Sequence, residues 1–278
     1  ITKPEERATA FGMIGAAFGI GFVFGPALGG ISSGWHVTAP FWIAALLSTL
    51  NMIFGLLILP ESLKKENRRP FGKSDLNPFA SILRAFLIPG LAVPLICIFV
   101  FEFANMVYPT IWAFWGREVF DWGSFTIGLT LSAYGIMIAA VQAGLLPQMT
   151  KRLGDYKTLI FASIAAVIAL LGFGFSTAAW AVAAIIPMAA LSDMAPPLLT
   201  AFAANRVADD QQGLVQGVIA SLASVAAVAA PLVLTGVFEL FVNNEGIYFP
   251  GAPFLIAAVL IMAIFPLILC LNPKRMSR

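Results

Sequence analysis

Long apolar stretches separated by short polar segments dominate the pattern along this chain of 278 residues. A helix needs about 20 apolar residues to cross a lipid bilayer. The stretches are continuous rather than alternating, which favours helices over the strands of a membrane barrel. The predicted spans are eight, at approximately 9–32, 40–59, 86–114, 125–146, 157–177, 180–203, 214–240 and 252–271.

Positive charges between the spans predict how the chain is oriented in a membrane. When the spans are threaded in order, fifteen of the sixteen Lys and Arg residues fall on one side, and Arg117 falls on the other. Cytoplasmic loops carry the excess of Lys and Arg in membrane proteins. We therefore expect both ends of the chain, and the basic segment 61–85, to lie in the cytoplasm.

The composition agrees with a membrane protein. Hydrophobic residues make up 60% of the chain and charged residues 11%, whereas soluble domains have about 45–50% and about 25%. The mean hydropathy is +0.92. A lipid bilayer is the expected partner, and nothing in the chain indicates nucleic-acid binding.

Motifs for enzymatic or cofactor chemistry are absent from the sequence. We find no phosphate-binding loop, no dinucleotide-binding glycine motif and no Cys/His cluster with metal-ligand spacing. Cys97 and Cys270 both lie in apolar stretches, and the single histidine, His36, stands alone in a short turn. We therefore expect no enzymatic activity, no cofactor and no metal site.

Two adjacent spans recur in the same order later in the chain. The span beginning at Gly12 aligns with the one beginning at Gly217, and Pro26 then aligns with Pro231. The following spans begin PFWIAALL and PFLIAAVL. Parallel repeats in a membrane protein imply two similar halves related by an axis along the membrane normal.

The repeat predicts a domain organisation. We expect residues 1–60 to form the last two helices of a first six-helix half, 61–85 a cytoplasmic linker, and 86–278 the second six-helix half. The predicted fold class is an all-α membrane protein with eight of twelve transmembrane helices present. Four counterpart spans would then precede residue 1.

Small residues in the first span carry a resemblance to a known family. Their spacing resembles the antiporter motif of the major facilitator superfamily, which marks proton-coupled drug exporters; the matching positions are Gly12, Gly21, Gly25, Pro26, Gly29 and Gly30. The segments LPESLKKENRRPF, PTIWAFW and VQAG are similar to the tetracycline-efflux branch. The resemblance implies a major facilitator-type helical bundle in a bacterial inner membrane, monomeric when full length. It would export small amphipathic compounds, tetracycline-like ones among them, in exchange for protons.

A second motif of the superfamily is only partly kept. The segment 147–157 resembles the second copy of its cytoplasmic loop motif, in which Arg152 and Gly154 match. Pumps of the tetracycline branch can carry a histidine where this chain has Ile138, and an acidic residue on the next helix, where 157–177 has none. These departures leave the identity of the substrate open.

Two acidic residues fall inside predicted spans: Glu102 in the third and Asp193 in the sixth. A charge at the bilayer centre is costly, and desolvation disfavours the ionised form of a carboxyl. Either group could therefore bind and release a proton as its access to water alternates. Asp193 is followed closely by Pro196 and Pro197, where the helix is expected to break, as at many transport sites. The alternative for each acid is a structural role as a neutral hydrogen-bonding group.

Polar and aromatic residues near these acids are candidates for a substrate cavity. Asn105, Tyr108, Trp112 and Gln142 are expected to line it. Asn105 and Gln142 have the alternative role of hydrogen bonding between helices. Trp115 is expected at the membrane interface, where tryptophans are enriched.

Three functions remain compatible with the sequence. The first is proton-coupled export by alternating access. The second is a truncated remnant or membrane scaffold that does not transport, and the third is an importer of small solutes with the same fold. The intramembrane carboxyls favour transport, because a remnant has no evident use for them.

Overall fold

The computed structural model describes residues 6, 9–14, 17, 20–21, 24–25, 28, 32, 35–36, 38–58, 78–243 and 246–272. Every regular element in these ranges is helical. The α-helices, labelled in chain order, are α1 Ala39–Ile58, α2 Pro78–Leu87, α3 Ala92–Asn105, α4 Val107–Phe120, α5 Ser124–Ala140, α6 Leu146–Leu153, α7 Asp155–Phe175, α8 Ala179–Ser192, α9 Ala195–Ala204, α10 Gln212–Val242 and α11 Ala252–Cys270. A π-helical turn, Val141–Leu145, joins α5 to α6, and a 3-10 turn, Asp209–Gln211, precedes α10.

Within the described ranges, seven segments are long and apolar enough to cross a membrane. They are α1, α3 with α4, α5 with α6, α7, α8 with α9, α10 and α11. These segments agree with seven of the eight predicted spans. The first predicted span, 9–32, is described only in part, and its described residues are helical.

The third span differs from its predicted limits. It runs from Ala92 to Phe120 rather than over 86–114. At its start, α2 is a separate helix, and Gly90 turns the chain after it with a φ of 78°, a conformation that glycine adopts without steric cost. Arg206 donates a hydrogen bond to the Gly90 carbonyl oxygen over 3.2 Å. The apolar stretch before residue 92 therefore belongs to a turn rather than to the membrane helix.

Small residues allow α7 to pack closely against its neighbours. A Cβ atom on Gly251 would overlap the Gly174 carbonyl, and one on Gly172 would lie 2.9 Å from Ile185 Cδ1. Close approach at small residues is the usual means of association for helices in lipid. The result is a bundle in which α7 packs against α8 and α11, while α1 has no buried residue.

Candidate functional site

The span made of α8 and α9 is interrupted at Asp193 and Met194, which form a turn between the two helices. The cause lies downstream, because Pro196 and Pro197 have no backbone N–H. The carbonyl groups four residues earlier, those of Ser192 and Asp193, therefore lack their helical donors. The helix thus breaks at Asp193 and Met194, a few residues before the prolines, which lie in the first turn of α9. Asp193 is buried there, with 9% of its surface exposed.

Gln142 supplies the donor that Pro197 cannot. Its Nε2 donates a hydrogen bond to the Asp193 carbonyl oxygen over 3.0 Å. Gln142 lies in the π-helical turn, a type of helix irregularity that is frequent at functional sites. Its side-chain oxygen, Oε1, is buried and has no hydrogen-bond partner among the described residues. Gln142 thus joins the span of α5 and α6 to the break between α8 and α9.

The carboxyl group of Asp193 is held by Tyr134, which belongs to none of the motifs in the sequence. The Tyr134 hydroxyl donates a hydrogen bond to Asp193 Oδ2 over 2.6 Å. Tyr134 lies eight residues before Gln142, so the two share a helix face two turns apart. This spacing is the one feature of the sequence that could have pointed to Tyr134. A tyrosine and a glutamine on one face of an apolar helix now bind the side chain and the backbone of the same acid.

A narrow cavity lies beside Tyr134, with room for about one water molecule. Trp112 closes one side, and its indole Nε1 donates a hydrogen bond to Thr130 Oγ1 over 2.9 Å. The lining is mostly aromatic and aliphatic: Tyr108, Trp112, Thr130, Leu131, Tyr134, Phe173, Ile186 and Ala189.

The four cavity candidates from the sequence fall in different places. Tyr108 and Trp112 line the cavity, whereas Asn105 and Gln142 are not part of its wall. Asn105 is half-buried at the end of α3, and Gln142 reaches the cavity only through Asp193 and its bond to Tyr134.

The expectation for Trp115 was wrong. Instead of an interfacial position, it is 1% exposed and packs against other rings, with its centroid 5.0 Å from Phe254 and 5.1 Å from Phe120. The apolar pattern of α4 does not distinguish a tryptophan that faces lipid headgroups from one that fills the bundle. Ring-on-ring packing within the helical bundle decides its place.

Glu102 differs from Asp193 in its surroundings. It lies in α3, one turn before the interruption at Met106, and is half-buried. In the described part of the chain, its side chain makes no hydrogen bond. Of the two acids, only Asp193 has a built set of partners.

The antiporter motif is described at three of its six positions. Gly12 packs against the π-helical turn, because a Cβ atom there would lie 2.5 Å from Leu146 Cδ2 and 3.4 Å from the Gln142 carbonyl oxygen. A Cβ on Gly21 or Gly25 would meet nothing within 4 Å. Pro26, Gly29 and Gly30 lie outside the described residues.

The two residues of the cytoplasmic loop motif lie together at the end of α6. Arg152 is exposed in its last turn. Gly154 has a φ of 79°, which side-chain-bearing residues rarely adopt, and it joins α6 to α7. The glycine therefore has a structural reason in the turn, whatever the role of the arginine.

Known proteins with similar sequences and structures agree on one family. The model of the Major Facilitator Superfamily matches residues 1–231. The tetracycline resistance protein of class C from Escherichia coli is 31% identical over 266 residues, which cover 96% of this chain and 66% of that protein. The class D protein from Salmonella ordonez is 32% identical over 86% of this chain and 60% of that protein.

A human relative and a solved structure extend the comparison. Human hippocampus abundant transcript-like protein 1 is 27% identical over 95% of this chain and 56% of its own length. The crystal structure of the human organic anion transporter MFSD10 (TETRAN) superposes with a TM-score of 0.78 at 24% identity, covering 96% of this chain and 65% of that one. The chain therefore spans less than two thirds of the length of these proteins.

The family model covers most of the chain, and the helical bundle has the fold of a solved member. The superfamily consists of membrane transporters rather than enzymes, which sit in a lipid bilayer and bind small substrates. On these findings, the chain belongs to the major facilitator superfamily, as a multi-pass membrane protein related to tetracycline efflux pumps.

Proposed function

We propose that the full-length protein exports small amphipathic compounds in exchange for protons, by alternating access between two six-helix halves. The relatives named tetracycline resistance proteins support export, and the fold supports alternating access. The proposed place is a bacterial inner membrane with the C-terminus in the cytoplasm, as the Lys and Arg distribution predicts. Residues 86–278 would form one complete half.

The observation that carries this proposal is the setting of Asp193. Its carboxyl is buried within a membrane span, at a helix break, and is held by Tyr134. No described Lys or Arg forms an ion pair with it. Ionisable side chains within membrane spans usually pair with one another or with backbone groups, and they mark ion and proton pathways. An unpaired one suits a group that is neutral when shielded from water and ionised when water reaches it.

The partners of Asp193 permit such a change without loss of the fold. Tyr134 can donate to an ionised carboxylate and can also accept from a protonated carboxyl, because a phenol does both. Gln142 binds the backbone and not the carboxyl, so its bond is independent of protonation. The geometry of the helix break is therefore the same whether Asp193 is protonated or ionised.

The break also provides a place for movement. Discontinuous helices in transporters place a site near the bilayer midplane between segments that can shift relative to each other. Here α8 and α9 meet at a turn in which Asp193 and Met194 bond to residues three earlier, over 3.3 Å each. Gly12, on the first-half helix, contacts the π-helical turn that holds this break. A shift between the two halves would thus be transmitted to Asp193 through the span of α5 and α6.

Glu102 is proposed as the second proton-coupling acid. Like Asp193, it lies within a membrane span, and it is half-buried, where desolvation disfavours the ionised form of a carboxyl. Substrate binding that changes the access of water to either acid would then change its proton occupancy.

Substrate-driven proton release from the purified full-length protein in weakly buffered detergent solution tests the proposal. Tetracycline and a series of lipophilic amines serve as substrates, and the variants are Asp193→Asn and Glu102→Gln. Asp210→Asn, which changes an exposed acid outside the spans, is the matched control. We expect release from wild type and the control and its loss in Asp193→Asn. Undiminished release in both intramembrane variants contradicts the assignment.

A further inference from the structure

The cavity beside Tyr134 is bounded by the rings of four aromatic side chains: Tyr108, Trp112, Tyr134 and Phe173. Phe173 stands edge-on to Trp112, with centroids 5.1 Å apart at 87°, and Tyr108 lies 5.6 Å from Tyr134. Ring faces carry partial negative charge and attract cations, and desolvation strengthens the attraction. This aromatic cavity is therefore suited to a cationic group.

The polar atoms of the wall are already engaged. Thr130 Oγ1 accepts from Trp112 and donates to the Ile127 carbonyl oxygen, and the Tyr134 hydroxyl donates to Asp193. A buried water needs two to four polar partners, by rule of thumb. Because these groups are committed, the aromatic cavity is a poor water site despite its suitable size.

Around the aromatic cavity, the unused hydrogen-bonding capacity is that of acceptors. Asp193 lies directly behind Tyr134 and carries carboxyl oxygens with free lone pairs. No described Lys or Arg lies in the middle of a span; those present are at helix ends or in loops. The missing complement is a positively charged donor.

We propose that the aromatic cavity binds the head group of an organic ammonium that carries N–H donors, with Asp193 as its counter-charge. This inference rests on the proposed export function and names its substrate class. The ammonium group packs against the rings and takes the place of Tyr134 as donor to Asp193. A primary ammonium has about the size of a water molecule, so it fits where a trimethylammonium group does not.

Equilibrium binding to the full-length protein in lipid nanodiscs, measured by titration calorimetry, tests this site without any gradient. The probes are 2-phenylethylammonium, its trimethylated form, the uncharged 2-phenylethanol and the anion 3-phenylpropanoate. We expect the primary ammonium to bind at least about tenfold more tightly than the alcohol, the trimethylated form more weakly, and the anion undetectably.

Variants separate the counter-charge from general apolar binding. Asp193→Asn keeps a group that Tyr134 can bond, and it should reduce the affinity for the ammonium to that for the alcohol, without changing the alcohol. Tyr134→Phe frees the carboxyl and should retain ammonium binding. Asp210→Asn serves as the unaffected control, and thermal unfolding of each variant checks the fold.

Several results overturn the inference. Equal affinities for ammonium and alcohol would show an apolar cavity or a bound water only, and tighter binding of the anion would reverse the substrate class. An unchanged ammonium affinity in Asp193→Asn would show that Asp193 is not the counter-charge. Failure of the export proposal is distinguishable, because ammonium binding can persist without proton release, and proton-coupled export of anions alone contradicts only the ammonium site.

Discussion

Two tyrosine–carboxylate hydrogen bonds occur in very different regions of this protein. Tyr134 donates to Asp193 over 2.6 Å inside the bundle, at the break between α8 and α9. Tyr248 donates to Glu118 over 2.8 Å at the surface, between the loop before α11 and the end of α4. The chemical groups are the same, but Asp193 is 9% exposed and Tyr248 58% exposed.

The difference shows that the surroundings, and not the pair itself, make a functional candidate. At the surface, water competes for both groups, and such contacts contribute little to stability. Inside the bundle, an ionised carboxyl loses its hydration, so its protonation depends on whether water is admitted. Gln142 also donates a hydrogen bond to the backbone of Asp193 in the inner pair, whereas the outer pair borders solvent.

Removal of the inner carboxyl has the largest expected effect. Asp193→Asn in proteoliposomes should abolish proton-coupled substrate exchange, because an amide carries no exchangeable charge, while the fold is kept by the similar shape. Glu118→Gln in the outer pair should leave exchange unchanged. Substrate-dependent collapse of an imposed pH gradient is the measurement. Equal losses in both variants would erase the contrast between the regions.

Loss of the Gln142 hydrogen bond to Asp193 has the second largest expected effect. Gln142→Leu leaves the Asp193 carbonyl, already without a helical donor because of Pro197, buried and unsatisfied. We expect a loss of stability of about 1–3 kcal/mol, together with reduced exchange. Thermal unfolding in detergent measures the first, and Gln148→Leu, at an exposed site on α6, is the control. If Gln142→Leu is as stable as the control, the hydrogen bond from Gln142 to Asp193 does not stabilise the fold.

The inner tyrosine should matter less than its acid. Tyr134→Phe removes one hydrogen bond to a carboxyl, worth about 1.5–3 kcal/mol when the acceptor is charged, but keeps the proton-carrying group. Exchange should therefore slow without disappearing, and the stability should fall. Initial rates in proteoliposomes decide this, and a complete loss of exchange would make Tyr134 as important as Asp193.

The outer tyrosine should have the smallest effect. Burial, and then the hydrogen bond and charge of Glu118, raise the pKa of Tyr248, so the bond contributes below the ordinary tyrosine pKa of about 10 and is lost as the phenol ionises above it. Tyr248→Phe should change the stability by less than about 0.5 kcal/mol at neutral pH. Unfolding curves at neutral and alkaline pH check this, and a larger change at neutral pH would contradict it.

Several features of the candidate site were predictable because they follow from local covalent chemistry. Prolines remove backbone donors, so the break after Asp193 could be expected from Pro196 and Pro197. Glycine at a turn is likewise a local matter, as at Gly154. The role of Tyr134 and the burial of Trp115 were not predictable, because both depend on which helices become neighbours.

Seven of the eight predicted spans, the membrane class and the family follow from the sequence alone, since the length of an apolar stretch and the spacing of a motif are properties of the chain. The tertiary structure decided which apolar residues face each other. It joined Tyr134 and Gln142 to Asp193, 59 and 51 residues away, and placed Gly12 against the π-helical turn. In lipid every helix face is apolar, so hydropathy cannot choose between neighbours, and close packing and paired polar groups make that choice.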